Sequence, residues 1–242
     1  MKDRQPALAR NRVALLGTVE IAKRGKAIMN ALHLPTNGAA YRICKRLLDL
    51  LFSIALLPFA LIAMGLVAVV VKASSPGPIF YRHTRVGLKK RPFGLWKFRT
   101  MFHDSDRIFW SHLAHSADAR REWLCYRKLK HDPRVTKVGA FLRRSNLDEL
   151  PQLFNVLLGD MSLVGPRPIV EEEFKRYGSG GALYTAVLPG ITGLWQVSGR
   201  GCLPYEHRVA LDVEYVSTWS LARDFMVLTK TFNAIWTCRG AF

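Results

Sequence analysis

The stretch LLFSIALLPFALIAMGLVAVVV, from Leu50 to Val71, holds about 22 residues without a single charge, enough to reach across a bilayer core if it forms a straight helix. A helix that is apolar on every side has no face to give to water, so a buried core helix suits it poorly. The run lies too far into the chain and is too long to read as a cleavable leader, and no small-residue cleavage site follows it. It predicts a helix whose natural solvent is lipid.

Its flanks constrain how that helix sits. Arg42, Lys45 and Arg46 precede it, and Lys72, Arg82, Arg85, Lys89, Lys90 and Arg91 follow it, so both sides carry the positive charge that marks cytoplasmic loops. A single crossing must export one of them. Pro58 removes a backbone hydrogen bond and can bend a helix sharply. A helix that enters, kinks near Leu57-Pro58 and returns to the same face keeps both basic flanks in the cytoplasm. The charges favour this re-entrant arrangement, and a spanning helix stays open as the alternative.

The balance of 36 Lys+Arg against 18 Asp+Glu leaves a formal net charge of +18, which predicts an anionic partner: nucleic acid, an acidic lipid surface or a phosphorylated substrate. A hydrophobic content of 49% excludes a chain that is disordered throughout. No recognition-helix motif or aromatic single-strand platform is present, so a nucleic-acid partner is not expected. Cys44, Cys125, Cys202 and Cys238 are scattered and read as free thiols of a reducing compartment. His112 and His115 read as a helix-surface pair.

The chain divides into a flexible basic cytoplasmic tail over 1–38, a membrane-anchoring re-entrant helix over 39–73 and a cytoplasmic domain over 74–242. After the turn SSPGPIF come two strands, IFYRHTRVG and FGLWKFRTM, around LKKRP, with Lys97 and Arg99 on one face by the period-2 rule. From Asp104 to about Lys130 the pattern is helical. Another helix is expected from about Pro204 to Thr218. The last helix, LARDFMVLTKTFNAIW, places Leu221, Phe225, Leu228, Phe232 and Ile235 at steps of three and four, a stripe for either a core or a lipid surface. The predicted fold is α+β and mainly α-helical: one N-terminal kinked (re-entrant) membrane helix, a small β-hairpin, and amphipathic helices at the membrane interface.

Within NLDELPQL, Asp148 and Glu149 stand side by side just ahead of Pro151. Proline is tolerated only in the first turn of a helix, so both acids fall at a helix N-terminus. Asn146 and Glu149 have the spacing of a capping box, and a cap is one reading of the pair. The surroundings offer another. Arg143 and Arg144 lie upstream, GDMSLVGPRP ends in Pro166-Arg167-Pro168, and PGITGLWQVSGRG leads to Arg200. Arginines fixed by prolines are forked donors for phosphate oxygens, and glycines let backbone N–H groups approach an anion. Carboxylates among fixed cations suit phosphoryl transfer, the acids holding Mg²⁺ or one of them attacking phosphorus. Asp132, Asp160 and Asp212 could reach such a metal, but Asp132-Pro133 and Gly159-Asp160 read equally well as ordinary turn pairs, and Glu171 to Glu173 read as a solvated helix start.

From KRLLDL through GPIFYRHTRVG, KFRTM, DPRVTKVGAFLRRSNLDELPQLFNVLLGDMSLVGPRP, PGITGLWQVSGR and LDVEYVSTWSLARDF, the chain resembles the bacterial sugar transferases, the monotopic polyprenyl-phosphate phosphoglycosyl transferases. It is most similar to their single-domain, exopolysaccharide-initiating undecaprenyl-phosphate galactose phosphotransferases. The resemblance implies a bacterial inner-membrane enzyme with its catalytic domain on the cytoplasmic face and a kinked re-entrant anchor. It would move a sugar 1-phosphate, galactose 1-phosphate before glucose 1-phosphate, from a UDP-sugar to undecaprenyl phosphate. By the same resemblance Asp148 and Glu149 are the catalytic dyad. Asp148 would attack the β-phosphate, expel UMP and carry the sugar 1-phosphate, while Glu149 would help hold Mg²⁺. Lys97, Arg99, Arg143, Arg144, Arg167 and Arg200 would bind substrate phosphate, and Pro166 and Pro168 would shape the nucleotide pocket. Membrane lipids are expected partners, and an isologous homodimer is compatible with the chain. A non-catalytic polysaccharide assembly factor would keep the fold but leave the dyad idle.

Overall fold

The computed structural model describes residues 38–126, 129, 131–198 and 205–236, so the predicted tail lies, but for Gly38, outside the described residues. The described residues are mainly helical, with one antiparallel and one parallel pair of strands among them.

Helix α1 (Ala39–Ser74) is 36 residues long, and at ~1.5 Å per residue it extends about 54 Å, well beyond the ~30 Å of bilayer hydrocarbon. Pro58 sits inside it, so the carbonyl of Ile54 lacks its usual helical donor. One face is buried along nearly the whole length: Lys45, Asp49, Ser53, Met64, Val67 and Val71, with Leu57 and Ala60 partly covered between them. The other faces are bare, with Leu51, Ile54, Leu56, Phe59, Ile62, Leu66 and Val69 exposed. The run that reads as uniformly apolar is thus split by packing into a protein side and an open side.

Polar ties hold α1 at both ends. Lys45 Nζ lies 2.7 Å from Asp224 Oδ2 and 3.6 Å from Asp49 Oδ1, while Asp49 Oδ1 also accepts from Ser162 Oγ and the backbone N–H of Leu163. Arg46 donates to the carbonyls of Val156 and Leu157, capping the end of another helix as cations do. Past the far end, Arg99 Nη2 donates to the carbonyl (2.6 Å) and hydroxyl (2.9 Å) of Ser75.

Strands β1 (Phe80–Val86) and β2 (Pro92–Phe98) form the expected hairpin, with Phe80 opposite Phe98 and Val86 opposite Pro92. Its turn uses Lys89 and Lys90 at φ 52° and 62°, left-handed values that glycine adopts more easily. The single helical stretch expected from Asp104 is two helices, α2 (Ser105–His115) and α3 (Ala117–Tyr126), broken at Ser116, whose hydroxyl accepts from Ala119 N–H.

Helix α4 (Lys137–Ser145) is capped by Thr136, whose hydroxyl accepts from Gly139 N–H at 2.8 Å. Gly139 is required by packing, because a Cβ there would stand 2.0 Å from the Thr100 carbonyl oxygen. The chain leaves α4 through Asn146 at φ 57°, makes a 3₁₀ turn over Leu147–Glu149, passes Pro151 and enters α5 (Gln152–Leu158).

Strand β3 (Ser162–Val164) pairs in parallel with β4 (Gly190–Thr192), a second sheet that the sequence reading did not anticipate. Between them run α6 (Glu171–Phe174), a 3₁₀ segment (Lys175–Gly180) and α7 (Gly181–Tyr184); after them come α8 (Leu194–Val197), α9 (Tyr205–Ser217) and α10 (Leu221–Trp236). The main core gathers Val156, Met161, Val164, Leu183, Tyr215 and Val227 from these elements. On α10, Asp224 and Val227 face inward, whereas Leu221, Phe225 and Phe232, three members of the expected stripe, are exposed at 47%, 65% and 68%.

Candidate active site

The acid pair sits in the 3₁₀ turn that links α4 to α5. Asp148 is 7% exposed. Lys97, near the end of β2, points its ammonium into this turn, 2.6 Å from Glu149 Oε1 and 3.6 Å from Asp148 Oδ2. Arg167 Nη2 stands 3.7 Å from the same Glu149 oxygen. Asn146 makes no side-chain cap bond, so the capping box allowed by the spacing does not form, and Glu149 turns to the two cations instead.

Burial raises the proton affinity of Asp148 above the ordinary carboxylate range. Lys97 opposes the rise, Glu149 adds to it, and Arg143 and Arg167 oppose it more weakly. Desolvation outweighs the neighbouring cations. A carboxylate less stabilised as an anion is a stronger nucleophile.

The other expected site residues distribute as follows. Arg143 Nε donates to Thr100 Oγ1 at 2.9 Å, with its charge acting on Asp148. Arg144, one residue further round α4, is exposed and makes no ion pair among the described residues. Arg99 is buried and committed through Nη2 to Ser75, while its Nε and Nη1 have no hydrogen-bond partner among the described residues. Pro166 and Pro168 are buried on either side of Arg167; the Pro166 carbonyl accepts from Gly190 N–H (2.8 Å) and that of Pro168 from Arg85 Nη1 (3.5 Å). Arg200 lies outside the described residues. Gly165, Gly190 and Gly193, expected to let backbone approach an anion, pack loop against loop: a Cβ on Gly190 would stand 2.1 Å from Gly165 N.

Asp132 is chelated by Arg134, Asp160 lies 3.3 Å from Asn155 Nδ2, and Asp212 accepts the Tyr177 hydroxyl at 2.7 Å. Among the described residues no group of three His, Cys, Asp or Glu side chains is placed to hold a metal. Two adjacent carboxylates are nonetheless hard oxygen donors that fit Mg²⁺, which commonly binds one or two acids and completes its shell with water and substrate phosphate.

Sequence reasoning missed Arg85, Trp195 and Arg208. Arg208 is buried, with its guanidinium centre 4.9 Å from the centroid of the Trp195 ring, and Arg167 approaches that ring at 5.9 Å. The available signal was Arg208 and Asp212 four apart on a helix, a basic–acidic pair on the side that packs inward.

Paired acids served by cations from distant segments thus sit beside a helix with an open apolar side. Residues 40–238 match the family described as bacterial sugar transferase, and the chain belongs to that family. It is 45% identical over 208 residues to the exopolysaccharide production protein ExoY of Sinorhizobium fredii, covering 86% of this chain and 90% of that one. It is 46% identical over 201 residues to the undecaprenyl-phosphate galactose phosphotransferase of Salmonella typhimurium, covering 83% of this chain and 42% of that longer protein. The UDP-glucose:undecaprenyl-phosphate glucose-1-phosphate transferase of Escherichia coli is 38% identical over 199 residues, covering 78% of this chain and 39% of its own.

Proposed function

We propose that the protein transfers a sugar 1-phosphate, galactose 1-phosphate first among the candidates, from a UDP-sugar to undecaprenyl phosphate as the first membrane step of exopolysaccharide synthesis. The observation that carries this reading is the buried Asp148 beside Glu149, with Lys97 within reach of both. An oxygen of Asp148 attacks the β-phosphorus, the bond to the bridging oxygen breaks, and UMP departs with that oxygen. The acyl-phosphate so formed carries the sugar. An oxygen of undecaprenyl phosphate then attacks the same phosphorus and frees the carboxylate, giving an undecaprenyl-diphosphate sugar. Lys97 and Arg167 offset the negative charge that gathers on the phosphoryl oxygens. Asp148 and Glu149 would hold Mg²⁺, which when bound neutralises diphosphate charge. The galactose assignment rests on the 46% identity to the Salmonella galactose enzyme, against 38% to the glucose enzyme.

The same reading places the protein on the inner membrane, with its catalytic domain at the cytoplasmic face and α1 entering and returning on one side. Both flanks of the apolar run are basic, and both ends of α1 are tied to the same domain, by Lys45 to Asp224 and by Ser75 to Arg99. The outward row Leu221, Phe225 and Phe232 of α10 gives the domain a second lipid-facing surface.

The test is UMP release from UDP-galactose by the purified membrane protein with Mg²⁺, with and without undecaprenyl phosphate, for wild type and Asp148→Asn. Release that the substitution abolishes is expected, and the UDP-glucose arm distinguishes the sugars. An Asn variant as active as wild type would make the acids structural only.

A further inference from the structure

We propose that Arg208 and Arg85 form the binding site for the phosphate that stays on the leaving nucleotide, the α-phosphate of the UDP-sugar and hence the phosphate of UMP. The inference rests on the transferase reading above and adds to it two residues and a ligand group.

Arg208 is 7% exposed, yet its Nε and Nη2 have no hydrogen-bond partner among the described residues. An acid is near: Glu173 Oε2 stands 3.8 Å from Nη2, beyond hydrogen-bond distance. The Nε of Arg85 and the indole N–H of Trp195 are likewise buried and unpartnered. Among the described residues, four buried donors on three side chains therefore lack an acceptor. Leaving such groups unpaired is costly, most of all when they are charged, so a cluster of them points to an absent ligand rich in acceptor oxygens.

Charge narrows the ligand. Burial first, then the positive field of Arg167, works against the charge on Arg85; Glu173 and Tyr184 oppose this and Arg208 adds to it. One carboxylate, Glu173, is thus set against three guanidiniums and leaves a net positive charge that a further anion would offset. A structural duty for Arg208 as the counter-ion of Asp212, four residues on, would close a hydrogen bond between them. Asp212 instead accepts the Tyr177 hydroxyl through Oδ2, and its Oδ1 has no partner among the described residues.

Position narrows it further. Arg167 is the link: it reaches Glu149 at 3.7 Å and shares the Trp195 ring with Arg208. In-line attack by Asp148 puts the leaving oxygen on the side of the β-phosphorus away from the nucleophile. Cations that hold the leaving phosphate must then lie beyond the acids, and Arg208 and Arg85 are joined to the acids through Arg167. The acceptor lipid also carries a phosphate, but it arrives from the membrane. The core beneath this cluster is built from Val86, Ile169, Tyr177, Tyr184 and Val209, and among the described residues α1 contributes nothing to it. The water-soluble donor is the ligand that fits.

The test is equilibrium binding of UMP, uridine and undecaprenyl phosphate to the full chain in lipid nanodiscs, for wild type, Arg208→Gln, Arg208→Lys and Arg85→Gln. Wild type is expected to bind UMP at least about tenfold more tightly than uridine. Arg208→Gln should cut that preference by about tenfold with uridine affinity unchanged, Arg208→Lys should restore part of it, and Arg85→Gln should give a smaller loss. The proposal is overturned if Arg208→Gln keeps the wild-type preference, if it weakens UMP and uridine alike as a folding defect would, or if only undecaprenyl phosphate binding falls. If wild type binds no uridine compound at all, the transferase reading itself fails. That result differs from every outcome that sinks the arginine site alone.

Discussion

The ammonium of Lys97 lies 2.6 Å from Glu149 Oε1 and 3.6 Å from Asp148 Oδ2, so one cation from the hairpin serves both acids of a turn about 50 residues further along the chain. Replacing Lys97 with Met leaves two partly buried carboxylates facing each other and removes a charge from the phosphoryl oxygens. UMP release should fall by about 100-fold or more, and Lys97→Arg should recover part of it. A Met variant that keeps a third of the wild-type rate would reduce Lys97 to a structural partner.

Among the described residues Lys45 is the one cation paired with the buried acids Asp49 and Asp224, and Tyr215 donates to the other oxygen of Asp224 at 2.7 Å. Truncating it strands two carboxylates away from water. Lys45→Met is expected to cost roughly 3–5 kcal/mol of stability and to loosen the start of α1 from α10. Thermal unfolding in nanodiscs reads the first effect, and hydrogen exchange over 39–50 and 221–228 reads the second.

At Gly139 the backbone of α4 touches that of Thr100, and a Cβ would stand 2.0 Å from the carbonyl oxygen. Backbone cannot move aside as a flexible side chain does. Gly139→Ala should therefore destabilise by about 3 kcal/mol or more and shift Arg143 relative to Asp148, lowering both the melting temperature and UMP release. If the variant melts with wild type, the close approach is not needed.

Asp212 is buried, and burial pushes it up to about 7 despite the Tyr177 hydroxyl and the Arg208 charge. A carboxyl raised from its ordinary value of about 4 contributes stability that is complete below pH 4 and is lost as pH rises toward 7, because the folded form holds the proton longer. Wild type should lose roughly 1–4 kcal/mol relative to Asp212→Asn between pH 5 and pH 8. Parallel melting curves for the two proteins across that range would contradict it.

Some of this architecture is written locally and some is not. The hairpin is legible because alternation and the turn around Lys89 are short-range signals, and α10 is found at the boundaries its periodicity implies. The β3–β4 pair is not legible: Ser162–Val164 and Gly190–Thr192 are three residues each, too short for a period, and they pair only because three glycines let two loops touch. The acids themselves are visible as neighbours before Pro151, but their electrostatics depend on burial by segments distant in the chain. Arg99 and Arg208 show the same limit from opposite directions. Each is one arginine among many, and only tertiary contacts turn one toward Ser75 and set the other over Trp195.

The buried stripe of α1, from Lys45 to Val71, has a practical corollary. Ala60 lies against both of the larger cores, and Met64, Val67 and Val71 belong to the one that also holds Phe98 and Leu142. On the proposed reading of α1 as the anchor, it is a wall of the enzyme as much as its tether. Trimming it away to obtain a water-soluble version would open two cores at once, and grafting a generic hydrophobic leader in its place would restore the address without restoring the building.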